Sequence, residues 1–145
     1  MKRCLLMICI STLAACSDPQ PAERANGFSE NIKTAEDSVM HEVMEAHDVA
    51  MAKMGRLNYF KIRIDSLAKT NLSAGFKPPL KDLRNKLDTA EDHMQRWMGE
   101  FNLDSAQKDG PARMPYLVSE KEKIYAARDL MLKNVAEVDS ALKKL

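Results

Sequence analysis

The chain has 145 residues, with 22 basic against 21 acidic side chains, a formal charge of +1, five glycines and 6% aromatic residues. Charges of both signs are interspersed, which gives no reason to expect nucleic acid or an anionic lipid surface as a partner. The abundance of Ala, Leu, Lys, Glu, Asp and Met is that of a helical protein.

The chain opens on a short basic head, Met1, Lys2 and Arg3, followed by an apolar run over 4–13 interrupted only by Ser11 and Thr12. That run is too short for a transmembrane helix, which needs about 20 apolar residues. A basic head, a short apolar stretch and small residues behind it describe a secretory signal peptide. Its end, Leu13-Ala14-Ala15-Cys16, resembles a bacterial lipobox. The resemblance implies cleavage of residues 1–15, lipidation of Cys16 (thioether-linked diacylglycerol plus an amide-linked chain such as palmitate), and a mature N-terminus at Cys16. Two or more acyl chains hold a protein stably on a membrane. The expected location is the exported side of a membrane in the bacterial cell envelope, the outer membrane being the one expected. All three cysteines, Cys4, Cys9 and Cys16, lie at or before the cut, so a mature domain has no internal disulfide to rely on. Loss of Lys2 and Arg3 brings the charge from +1 to about −1. The remaining length suits one domain.

Residues 16–33 read as a lipidated cysteine and flexible tether, with Pro19, Pro21, Asn26 and Gly27 and no apolar period. Helix one is expected over about 34–70, with Asp37 as a capping acid after Thr34. Its apolar positions are Met40, Met44, His47, Met51, Met54, Leu57, Phe60, Ile64 and Leu67, steps of three and four that mark one helical face. Gly55 interrupts nothing in that period and is expected to permit close packing. A turn follows at Gly75. Helix two is expected over about 79–101, opened by proline, with a stripe of Leu80, Leu83, Leu87, Ala90, Met94, Trp97, Met98 and Phe101. A long connection carrying Gly110-Pro111 and Met114-Pro115 leads to helix three over about 119–145. Ser119 is its expected N-cap and Glu122 completes a capping box. The stripe there is Ile124, Ala127, Met131, Val135, Val138, Leu142 and Leu145.

Three helices with one apolar face each, and no strand signal, predict an all-α fold, an antiparallel up-down-up three-helix bundle with a long first helix. At 1.5 Å per residue the helices would measure roughly 54, 34 and 40 Å. Helix one would then overhang its partners at 34–47, leaving Met40 and Met44 bare, and the connection over 102–118 is expected to cover them with Met114, Tyr116 and Leu117 rather than leave them to meet something else.

Candidate chemistry falls on helix one. Met44, His47, Met51 and Met54 share a face, and Met94 and Met98 are expected opposite. Thioethers and imidazole are soft ligands that suit Cu(I), and a Met/His pair also suits haem iron. Methionine equally fills irregular core gaps, which is the expectation preferred for this stripe. On the adjacent polar face, Asp37, His41, Glu45 and Asp48 cluster, and a solvated face with paired charges is expected rather than a divalent-ion site. No phosphate loop or nucleophile motif occurs, and the three histidines, His41, His47 and His93, all fall on expected helices. No catalysis is expected.

The runs His47-Asp48-Val49-Ala50-Met51-Ala52-Lys53-Met54, Trp97-Met98-Gly99-Glu100-Phe101 and Tyr116-Leu117 resemble a group of small Bacteroidota-type lipoproteins, often labelled "viral A-type inclusion protein". Their pattern is H-D-x-x-M-x-K-M, W-M-x-x-F and Y-L in that order. The resemblance implies a helical lipoprotein and supplies no catalytic residues. Val49 stands where an acid is usual, which weakens a metal site built there. Two functional expectations result. One is a membrane-anchored interaction module that meets an envelope protein through Met40, His41, Met44 and His47. The other is Cu(I) or haem binding through the His/Met stripe.

Overall fold

The computed structural model describes residues 30–70 and 77–144, and every element in them is helical, with no strand among the described residues. The order is α1 (Glu30–Met51), α2 (Met54–Ala68), α3 (Lys77–Glu100), α4 (Leu103–Gln107) and α5 (Arg113–Leu142). The expected signal segment, Cys16, most of the expected tether, the expected turn at Gly75 and Leu145 lie outside the described residues.

The first long helix is two helices. At the junction the Ala52 N–H still bonds the Asp48 carbonyl at 3.0 Å, but the Lys53 N–H reaches back only to Ala50, at 2.9 Å. That is a tightened, 3₁₀-type step. The ladder restarts when the Leu57 N–H bonds the Lys53 carbonyl at 2.9 Å. Gly55 follows at once and weakens the first turn of α2. A side chain there would meet nothing within 4 Å, so the expected close packing at Gly55 does not occur. The helix also begins earlier than expected, at Glu30 rather than 34, and takes up the last residues assigned to the tether.

α3 follows its period closely. Pro78 and Pro79 occupy its first turn, where a missing N–H costs nothing. Leu80, Leu87, Ala90, Met94 and Trp97 are buried. Met98 is the exception: it lies exposed at the edge of that stripe.

The connection over 102–118 is mostly helix, contrary to expectation. Asn102 caps α4 by accepting the Ser105 N–H at 2.8 Å. α5 then starts at Arg113, ahead of the expected Ser119 cap, and Ser119 lies inside the helix. Pro115 falls in the first turn of α5, where its lack of an N–H is tolerated, so it does not end the element. At 30 residues α5 runs roughly 45 Å.

This length removes the expected overhang. Arg113, at the start of α5, pairs with Glu36 at 3.1 Å and Asp37 at 2.6 Å on α1. Further along, the Tyr125 hydroxyl donates to Glu42 at 3.1 Å, Arg56 pairs with Asp139 at 2.8 Å, and Arg63 donates to the Leu142 carbonyl at 3.3 Å. α3 meets α5 through Asn134, whose side-chain amide donates to the Lys86 carbonyl at 2.8 Å, and meets α2 through Lys61 to Asp88, also 2.8 Å.

The core face of α1 is also turned from the expected one. Val43, Ala46 and Ala50 are buried, whereas Met44 is exposed and Met40 and His47 are only partly covered. One residue step on a helix is about 100°, and that is the size of the error. Short side chains let α1 approach α5, its main packing partner. From α2 onward the expected stripe holds, with Leu57, Phe60 and Ile64 joining Ile124, Met131, Val138 and Leu142 in one core.

Candidate functional site

Turning the α1 core away from its methionines leaves them beside the end of α3. Met40, Met44 and His47 follow one another in steps of four and three, so they line one strip of α1. Opposite stand Trp97, Met98 and Phe101, with Leu103 from the start of α4. Together these seven residues line an open groove of about 310 Å³. Met44 is 37% exposed, Met98 38% and Leu103 50%. Three large apolar side chains exposed together differ from the scattered ones any surface carries.

The inner wall is aromatic. The Trp97 ring lies 5.7 Å from His47 and 4.9 Å from Phe101, and Phe101 lies 6.1 Å from Tyr116. These are tilted packings within the favourable range for ring pairs. The ladder ties α1, α3 and α5 together behind the groove. Tyr116 closes it by accepting the Asn102 N–H at 2.7 Å, and burial pushes its hydroxyl pKa up. Trp97 is 6% exposed, and its indole N–H finds no hydrogen-bond partner among the described residues.

His47 is oriented. Its Nδ1 lies 3.0 Å from Asp48 Oδ1. A carboxylate only accepts, so Nδ1 carries the proton, and in the neutral ring the lone pair is on Nε2.

The structure sorts the expected site residues. Met44, His47 and Met98 come together, joined by Met40. Met51 and Met54 pack partly buried against the core, and Met94 is fully buried, so none of these three lines the groove. His41 is exposed and is not among the lining residues. The expected apolar cover is only partial. Leu117 is buried and Tyr116 stacks on Phe101, while Leu103 is what reaches the methionines. Leu103 gave little warning, being one apolar residue in a polar stretch. On the neighbouring face Asp37 is engaged by Arg113, and among the described residues no three His, Cys, Asp or Glu side chains converge to hold a metal.

Behind the groove the Arg113 guanidinium is a buried clamp. Its Nε donates to the Ala106 carbonyl at 2.7 Å while its two terminal nitrogens reach Glu36 and Asp37. Burial disfavours its charge, but the bonds to Asp37 and Glu36 outweigh this and raise its pKa further. One residue thus fixes α4, α5 and α1 relative to one another. No helix among the described residues is long and apolar enough to cross a membrane. No family model, no curated protein and no solved structure matches this chain.

Proposed function

We propose that this protein is a lipid-anchored helical interaction module of the bacterial cell envelope, tethered through Cys16 and without catalytic activity. In this reading α1 with α2, α3 and α5 form an up-down-up three-helix bundle. The pairs Glu36–Arg113 and Arg56–Asp139 run in the same sense along the chain, and Lys86–Asn134 and Phe101–Tyr116 in the opposite sense, which supports that topology. The lipobox-like Leu13-Ala14-Ala15-Cys16 and the resemblance to small helical lipoproteins support the anchor.

The groove of Met40, Met44, Trp97, Met98 and Leu103 is the observation that carries the reading. Methionine-rich apolar surfaces adapt to the side chains they meet, and a groove of this kind suits the apolar face of an amphipathic helix on an envelope protein. A photo-crosslinking residue placed at Leu103 in intact envelopes should yield a discrete higher-mass product, while one at Ile62 on α2 should not. Recovery of the monomer alone from Leu103 would refute the partner. Loss of membrane association in Cys16→Ser tests the anchor separately.

A further inference from the structure

The groove's lining is selective in its donors. None of its seven residues offers a carboxylate, a hydroxyl or an ammonium group; the donor atoms are three thioethers, of Met40, Met44 and Met98, and the imidazole of His47. Hard cations such as Mg²⁺ and Ca²⁺ require oxygen, so this wall is unsuited to them. Thioether and imidazole together suit a soft monovalent ion. The His47 Nδ1 lies 3.0 Å from the Asp48 carboxylate, and when Nδ1 donates to it Nε2 is the nitrogen left for a metal, as in metal-bound histidines whose other ring nitrogen is held by a carboxylate. Trp97 packs beside the His47 ring, with centroids 5.7 Å apart, so its emission reports on this corner of the groove. Met44 and Met98 are partly exposed, so an ion has a path in. Methionine's three rotatable bonds let sulfurs on facing helices converge on it.

We propose that this groove is a Cu(I) site, with Met44, Met98 and His47 as ligands and Met40 as a further thioether donor. The site excludes Met51, Met54 and Met94, which face the core. It goes beyond the interaction reading and does not depend on it, because it requires sulfur where a docking helix requires only apolar volume. Leucine for methionine separates the two, since the swap keeps volume and hydrophobicity.

The test uses the full chain purified in detergent, with Cys4, Cys9 and Cys16 changed to Ser so that no thiol competes for the metal. Cu(I) is titrated anaerobically under ascorbate against a chromogenic Cu(I) chelator, while emission from Trp97, the chain's one tryptophan, is followed. One equivalent is expected to bind and to quench Trp97 with saturation at that equivalence. Met44→Leu and Met98→Leu should each weaken binding at least tenfold, and the double variant should lose it. Met131→Leu, in the core, should bind as the parent does. Circular dichroism of all variants should match the parent, because Met44 and Met98 lie at the surface. Absence of saturable binding would overturn the site, and so would a double variant whose affinity stays within twofold of the parent. The envelope cross-link from Leu103, repeated in the double variant, reports on the docking reading alone and should persist.

Discussion

Replacing Arg113 with methionine removes a guanidinium from three acceptors while keeping most of the apolar stem in place. The acceptors are unequal. Glu36 is buried and lies 3.1 Å from the guanidinium, so this ion pair is lost in a place shielded from water. Breaking a buried pair from one side typically costs about 3–5 kcal/mol. The Ala106 carbonyl loses its bond from Nε, worth on the order of 1 kcal/mol. Asp37 is 46% exposed and rehydrates, so its share is small. These contributions overlap, and a loss of about 4 kcal/mol is expected, a large fraction of an ordinary domain's stability. Urea unfolding followed by Trp97 emission measures it, and the melting temperature should fall by roughly 15 °C. Changing Glu36 to leucine in the Arg113→Met protein removes the buried carboxylate that lost this ion pair and should recover part of the loss. A single variant within about 1 kcal/mol of the parent would refute the clamp.

Gly55→Ala should stabilise by about 0.5–1 kcal/mol in the same urea assay, because the position is helical and an added methyl meets nothing within 4 Å. Leu57→Ala should cost about 2–5 kcal/mol, since Leu57 is fully buried, whereas Met44→Leu in the groove should shift stability by less than about 0.5 kcal/mol. Acid stability should depend on Asp88. Burial pushes its pKa up, but hydrogen bonds and charge from Lys61 and Arg84 more than offset this and hold it below the ordinary 3.8. The unfolded chain therefore binds the proton more readily, so this contribution is present at neutral pH and is lost as pH falls below about 4. Unfolding measured from pH 6 to 2 should show a shallower acid decline in Asp88→Asn, and a slope equal to the parent's would count against it.

The helical stripes of α2, α3 and α5 were legible because they are built of Leu, Ile, Val, Phe and Trp at unambiguous spacing. α1 offers two adjacent stripes, Met40/Met44/His47 and Val43/Ala46/Ala50. Hydrophobicity favours the methionines, whereas the close approach of α5 favours the small residues, and the neighbour decides. The break at Ala52–Lys53 carries no proline and only a weak local mark in Gly55. Pro115 looked like an interruption because its place in a first turn depends on where α5 starts. Arg113 is the clearest case of information that local reading cannot reach: it is a single charge between Gly110-Pro111 and Met114-Pro115, and its partner Glu36 is 77 positions away. The groove itself was half visible. The His/Met stripe stood out, but which of its members face Trp97 and Met98 depends on the rotation of α1 that α5 imposes.

The slip in the ladder at Lys53 bears on how the molecule carries mechanical load. A pull on the chain ahead of α1, such as a membrane tether would exert, does not travel along one stiff rod to the far end. It is met first at Glu36 and Asp37, where Arg113 resists, and then along the α1–α5 seam, loaded in shear because the two helices lie side by side. Past Ala50 the hydrogen-bond ladder slips at Lys53, so α1 and α2 do not carry that load as one continuous helix. The groove takes one wall from α1 and the other from the end of α3 and the start of α4, so a pull on α1 would act on one wall of it.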